Sequence, residues 1–421
     1  MRIFRAILIT SFLTVMASPA IASNDPGFGK QWGLSKIGAE TAWQTAKGDG
    51  MIIAIIDSGI DLAHEDLKDK ILPGKDYFDD DAVPQDEDGH GTHVAGIAAA
   101  ITGNGRGVAG TAPGAKILPL RVLGPDGACS PCYTSAAIDE AVARGADVIN
   151  LSLGGVGQEV FGPGFDEALE RAWAAGVIPV VAAGNHYLLA SGYEDNSAIV
   201  VSATNRNDKK PDFSSGVGAA KWGMAAPGGG STFDARADDI YSTDWNGSTN
   251  NLYGYNAGTS MSAPYVAGAA AVLRSMGLTP QQTVDRLLAT AVDIGAAGHD
   301  ATFGSGRLDL AAAVRGTPSI PPPPPGTSTP APSGKKTSPR PGVSVAPNQS
   351  PAVSPVPRVS VAPSVTSAVS PGPFLGGSDG PGPDRSGTSW VGPIVAVALG
   401  MLGVGIYLLK RRRDGLLKLG P

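Results

Sequence analysis

Met51-Ile52-Ile53-Ala54-Ile55-Ile56, followed at once by Asp57-Ser58-Gly59, decides the architecture of this 421-residue chain. An apolar run with no polar alternation is a strand buried on both faces, the mark of a parallel sheet covered by helices on each side. Lys116–Leu123, Val148–Leu153, Val177–Ala182 and Ala198–Ala203 repeat the pattern. Between them, helical segments are read at His93–Ile101, Ser135–Arg144 and Phe165–Ala175, the last stopped by Gly176. Strand, helix, strand at this spacing implies right-handed crossovers, hence an α/β fold with a mostly parallel central sheet. A further Ala-rich apolar helix is expected over Tyr265–Met276, closed by Gly277, with Pro264 suited to its first turn. Gly304–Val314 reads as a terminal strand and short helix, and no internal repeat is present.

The ends of the chain are different material. Arg2 and Arg5, the apolar run Ala6–Met16 and the small-x-small step Ala20-Ile21-Ala22 make residues 1–22 a secretory signal, and the run is short for an uncleaved anchor. The folded domain is placed at 23–316. Residues 317–388 are rich in Pro, Ser and Thr, with Pro321–Pro325 unbroken, and hold too little apolar bulk for a core, so a disordered, extended stalk is expected. Trp390–Leu409 is uncharged and long enough for one transmembrane helix; Lys410-Arg411-Arg412-Arg413 opens a basic cytoplasmic tail, 410–421. The expectation is a single-pass protein of the cell membrane with its folded domain outside. The net charge of −6 argues against nucleic acid as a partner, and a monomer is expected.

The chemistry-bearing residues fall at strand and helix ends. Asp57 closes the first buried strand, where open parallel sheets present their sites, although a solvated turn aspartate would look the same. His90 stands between Gly89 and Gly91, which let an imidazole lie close against other backbone, as a proton shuttle needs; His93 is read as structural. Asn185 follows a buried strand and offers an amide donor, or simply a turn. Ser260, in Gly258-Thr259-Ser260-Met261-Ser262-Ala263-Pro264, leads into a helix whose dipole favours developing negative charge; taken alone it reads as an N-cap. The order Asp57, His90, Asn185, Ser260 is one of the few chain orders used for acyl transfer by a serine.

Ile55–Asp61 (IIDSGID), Asp88–Gly96 (DGHGTHVAG) and Gly258–Gly268 (GTSMSAPYVAG), with Asn185 in Val181–Asn185, resemble the signatures of the subtilisin-like serine proteases, specifically the thermitase-like branch. The resemblance covers roughly Asn24–Val314. It implies a three-layer subtilisin-like fold, a groove for extended polypeptide substrates, and roles for Asp57, His90 and Ser260 as catalytic triad with Asn185 in the oxyanion hole. It also implies that Ser152, Leu153, Gly154, Ala182, Ala183 and Gly184 line a broad first specificity pocket. No inhibitory propeptide is expected, because Asn24-Asp25-Pro26 already matches the mature family members. The layout of signal, protease domain, proline stalk and membrane helix resembles the mycosins, proteases associated with type VII secretion. A non-catalytic scaffold is the reading that intact Asp57, His90, Asn185 and Ser260 oppose.

Asp76, Asp79, Asp81 and Gln85 share one loop, and oxygen ligands so closely spaced suit calcium, although solvated acidic loops are common. The resemblance implies a Ca2+ site there, completed by the Val83 carbonyl. It implies a second, tighter site with side chains from Asp25, Asp66 and Asn104 and carbonyls from Ile101, Arg106 and Val108. Gly192–Asn196 lacks the family's tyrosine-proline step, so a third cation site is not expected, and Gly228–Asp239 is longer than the usual loop. Cys129-Ser130-Pro131-Cys132 has the spacing of a redox or zinc half-motif; outside the cell and with no other cysteine, a local disulfide is the plain reading.

Overall fold

The computed structural model describes residues 23–129, 132–153, 161–186, 190, 192–230 and 238–315. The signal segment 1–22, the stalk 317–388, the apolar stretch 390–409 and the tail 410–421 lie outside the described residues. In chain order the strands are β1 (Ile52–Asp57), β2 (Lys75–Asp76), β3 (Lys116–Arg121), β4 (Val148–Leu151), β5 (Ile178–Ala182), β6 (Ile199–Thr204), β7 (Trp222–Pro227), β8 (Ile240–Asp244) and β9 (Leu252–Asn256). Strands β1 to β7 form one sheet in the order β2-β3-β1-β4-β5-β6-β7, parallel at every pairing.

β1 sits inside this sheet, and its uniform apolarity is explained by what lies on each side. Ile53 and Ile55 enter one buried cluster with Val94 and Ile97 of the helix His90–Ala99 and Val266 and Leu273 of the helix Thr259–Ser275. Ala54 and Ile56 enter the other, with Ile138 of the helix Thr134–Ala143 and Phe165 and Leu169 of the helix Phe165–Ala174. Helices on both faces of a parallel sheet make the expected three layers. Each β1 isoleucine taken fully from water contributes about 1.5–3 kcal/mol of transfer free energy. Gly176, at φ +88°, ends the helix Phe165–Ala174 by taking the left-handed conformation that glycine tolerates.

Several departures from the sequence reading lie at element ends. The helix read as His93–Ile101 begins at His90, so the histidine is the first helical residue rather than part of a loop. The helix read as Tyr265–Met276 begins at Thr259, which puts Ser260 inside the first turn and Pro264 inside the helix. Gly258 is the N-cap, and Ser260 is not. The helix runs through Pro264 because the carbonyl that proline leaves without an N–H partner, Ser260 O, accepts from Ser152 Oγ at 2.7 Å. Gly304–Val314 yields a helix only at Leu310–Val314; its expected strand shrinks to bridges from Arg307 to Ala225 and Val292, with Gly304 and Gly306 at φ +61° and +114° interrupting the extended backbone. Strands β2 and β7, the helix Pro280–Ala289 and the antiparallel hairpin β8–β9 are elements the sequence reading does not contain.

The sheet also sets the geometry of the site. Ile55 is in register with Asn150 and Asn150 with Val180, so Asp57, Ser152 and Ala182 stand at one level at the ends of adjacent parallel strands. Neighbouring strands lie about 4.8 Å apart.

Candidate active site

His90 Nδ1 donates to Asp57 Oδ1 at 2.7 Å, with Asp57 fully buried and the imidazole about one-quarter exposed. The same Asp57 oxygen accepts from Ser58 N at 2.8 Å, which fixes the carboxylate plane. Burial works against charge on the imidazole. The charge and hydrogen bond of Asp57, with Asp88 and Asp86 behind it, outweigh that and push the His90 pKa up to about 9. The arrangement holds one tautomer, Nδ1–H, and leaves Nε2 as the basic atom. His93 differs: burial, then the neighbouring His90 charge, drive its pKa down to about 3, and its Nε2 donates to Ile240 O at 3.1 Å. It is a neutral structural residue, as expected.

The glycines beside His90 are needed for space. A Cβ on Gly91 would lie 2.1 Å from Gly59 O, and one on Gly89 would lie 2.3 Å from Trp245 O. Beneath them is a residue the sequence reading passed over. Asp86, 1% exposed, accepts on Oδ1 from Ser58 Oγ (2.8 Å), Asp88 N (3.0 Å) and Gly89 N (2.9 Å), and on Oδ2 from Thr92 N (2.9 Å) and Thr92 Oγ1 (2.6 Å). It ties the end of β1 to the first turn of the histidine helix. An acidic residue just before a helix start was the available signal.

Ser260 Oγ donates to Ser152 O at 3.0 Å, which places the hydroxyl at the end of β4, next to the strand that carries Asp57. It is not hydrogen-bonded to His90; such links are often long or misaligned in free enzymes and tighten with substrate. Asn185 Oδ1 accepts from Thr259 N at 3.0 Å and Thr259 Oγ1 at 3.1 Å, so its Nδ2 is the free donor end of the amide. Thr259 Oγ1 in turn accepts from Gly184 N at 3.1 Å. Ser260 N–H belongs to the first helical turn, whose N–H groups lack intrahelical acceptors. Asn185 Nδ2 and the Ser260 N–H, both beside a helix N-terminus, are donors of the kind that can stabilise an anionic oxygen.

Of the expected pocket residues, Ser152, Leu153, Ala182 and Ala183 are buried at the ends of β4 and β5, and Gly184 takes φ +101°. Gly154 lies outside the described residues. Cys129 and Cys132 are disulfide-bonded. Gly127, just before the bridge, comes beside the histidine turn: a Cβ on it would lie 3.7 Å from Asp88 Oδ2.

Asp25 and Asp66 both reach the loop 101–108. Asp25 accepts from Gly103 N (2.8 Å), Asn104 N (3.0 Å) and Gly105 N (3.1 Å), tying the N-terminal segment to the loop 101–108. Asp66 accepts from Asn104 Nδ2 (2.7 Å), Val108 N (2.8 Å) and Tyr253 OH (3.1 Å), and burial pushes its carboxyl pKa up. Asp66 and Asn104 carry the oxygen ligands a hard cation uses, but Asn104 presents its Nδ2 to Asp66 while its Oδ1 accepts from Arg106 N at 2.8 Å, so a cation held here requires that amide to turn. The acidic loop fits less well. Buried Arg121 already pairs with Asp76 (2.9 Å), Asp79 (2.9 Å) and Glu87 (2.7 Å), while Asp81 Oδ1 accepts Val83 N and Gln85 Oε1 accepts Leu62 N. Among the described residues no group of three or more His, Cys, Asp or Glu side chains stands ready to hold a metal.

The model of peptidase S8, the subtilase family, matches residues 48–306. Thermitase of Thermoactinomyces vulgaris is 40% identical over 295 residues, 69% of this chain and 99% of that protein. Subtilisin DY of Bacillus licheniformis is 35% identical over 280 residues, 65% of this chain and 93% of that protein. A solved protease of Pseudoalteromonas arctica superimposes with TM-score 0.61 at 32% identity, covering 70% of this chain and 98% of the other. With a sheet of seven parallel strands, a buried Asp57 paired with His90 and a helix-borne serine at the neighbouring strand end, the chain belongs to the subtilase family of serine endopeptidases.

Proposed function

We propose that this protease is secreted and membrane-anchored, and that it cleaves polypeptides of broad sequence through an acyl-enzyme on Ser260. The observation that carries the reading is the 2.7 Å contact between buried Asp57 and His90 Nδ1, one strand from the Ser260 hydroxyl. Rotation about the Ser260 Cα–Cβ bond turns Oγ from Ser152 O towards His90 Nε2. Oγ attacks the scissile carbonyl as Nε2 takes its proton, and Asp57 stabilises the imidazolium. Asn185 Nδ2 and Ser260 N–H receive the oxyanion; His90 then returns the proton to the leaving amine, and water releases the acyl group by the same steps. Ser152–Gly154 and Ala182–Gly184 form the pocket for the side chain before the cut.

The test is reaction of the full chain with a fluorophosphonate probe beside Asn185→Ala. Wild type is expected to label at Ser260. Asn185→Ala is expected to lose about 100- to 1,000-fold in kcat on peptides, the loss known for this donor in subtilisin itself. Unreactive wild-type protein with a cooperative thermal transition would leave the scaffold reading in its place. Asp25, Asp66 and Asn104, with the carbonyls of Ile101, Arg106 and Val108, are proposed to hold Ca2+; a chelator should then lower the melting temperature of wild type, and an unchanged transition sinks the site. The loop of Asp76, Asp79, Asp81, Val83 and Gln85 is proposed as a weaker Ca2+ site because Arg121 already offsets its charge. Recovery of the full chain in the membrane fraction, lost on truncation after Arg315, checks the anchor. A dedicated processing role beside a secretion system is favoured by the same layout and calls for cleavage confined to one sequence.

A further inference from the structure

Ser152 contributes its backbone to the pocket just described, but its hydroxyl is engaged elsewhere. Pro264 has no N–H, so the carbonyl four residues back, Ser260 O, has no helical donor. Ser152 Oγ supplies one at 2.7 Å. A carbonyl can only accept, so the Ser152 proton is committed to it, and the hydroxyl must itself accept from its other neighbour, Asn150 Nδ2, at 2.9 Å. Asn150 and Ser152 are buried, and Asn150 Oδ1 has no partner among the described residues, so the amide has no competing contact to turn it away. In the opposite direction Ser260 Oγ donates to Ser152 O at 3.0 Å. The two serines are thus cross-linked through both hydroxyls and both carbonyls, between the end of β4 and the first turn of the helix Thr259–Ser275.

We infer that the Ser152 hydroxyl is a positioning residue: through Asn150–Ser152–Ser260 it replaces the hydrogen bond that Pro264 removes and fixes the height of Ser260 over the sheet. The inference rests on the reading of Ser260 as the nucleophile. Pro264 keeps the first helical turn open at this carbonyl, and the strand end, rather than the helix, then sets where Oγ and Ser260 N–H sit relative to His90 on β1's side. A shift of about 1 Å at a nucleophile lowers turnover by as much as 100-fold. A buried carbonyl left without a donor also destabilises the fold.

The experiment is a double-substitution cycle in the full chain: wild type, Ser152→Ala, Pro264→Ala and the pair, each read for kcat, KM and melting temperature after titration of reactive sites with the fluorophosphonate. With Pro264 present, Ser152→Ala is expected to lower kcat about 10- to 100-fold with KM changed less than about threefold. The melting temperature should fall by about 3–6 °C. With alanine at 264, whose N–H can take the Ser260 carbonyl, the same Ser152→Ala step is expected to lower kcat less than about threefold and to leave the melting temperature nearly unchanged. An equal loss of kcat in both backgrounds overturns the inference, as does a change confined to KM, which would assign the hydroxyl to the substrate pocket. Coupling seen in the melting temperature but absent from kcat leaves a structural bond and overturns the positioning role. Wild type that fails to react with the probe overturns the nucleophile reading itself, and the inference with it.

Discussion

Ser260→Ala is expected to lower kcat for peptide hydrolysis by about a million-fold while leaving the fold intact; losses of that size are known for the nucleophile and for the histidine of subtilisin, singly or together. The hydroxyl has one hydrogen bond, to Ser152 O, and alanine is the best helix former for the first turn it would occupy. The backbone N–H of residue 260 and the Asn185 amide remain, so the variant should keep about 1,000- to 10,000-fold over uncatalysed hydrolysis. His90→Ala and the double variant should fall to the same floor, since the two groups act only as a unit. Turnover measured with a chromogenic peptide, alongside melting temperature, checks this. A fully folded Ser260→Ala chain retaining more than about one-thousandth of wild-type turnover would place the nucleophile elsewhere.

How much of this could be read from the chain alone varied with the kind of interaction. The β1 run declared a doubly covered strand because burial on both faces leaves a composition signature, and the sheet follows from its repetition. Helix starts were misplaced because backbone partners come from distant residues. Pro264 looked like a first-turn residue, and only Ser152, more than a hundred positions upstream, lets the helix begin at Thr259. For the same reason Ser260, read alone, resembled an N-cap. Arg121 shows the limit for ionic sites: the acidic loop is visible as sequence, whereas the guanidinium that folds under it comes from β3. Asp86 was missed since its five donors are mostly backbone N–H groups that carry no residue signature. The hairpin β8–β9 is short and only half-buried on β9, so neither strand shows a clean alternation.

Asp57→Asn separates what the carboxylate does for proton affinity from what it does for geometry, and is expected to lower kcat about 10,000-fold. The asparagine can present its amide N–H to His90 Nδ1, which forces the proton onto Nε2, the atom that must accept from Ser260. The activity that remains should also titrate differently. In wild type the His90 pKa stands at about 9, so kcat/KM should rise with pH up to that region, where the imidazole becomes free base. Without the Asp57 charge, burial is opposed only by Asp88 and Asp86, the pKa falls, and the rising limb moves to lower pH. Stability runs in the opposite direction. A histidine held above its ordinary 6.5 stabilises the fold below that pH, and the contribution is lost as pH climbs through about 9. Wild type should therefore lose stability between about pH 6.5 and 9 in a step that Asp57→Asn lacks. Parallel pH profiles of kcat/KM and of denaturant midpoint for the two proteins decide it. A rising limb that stays in place when Asp57 is replaced would mean that another group, and not this pair, sets the proton affinity of His90.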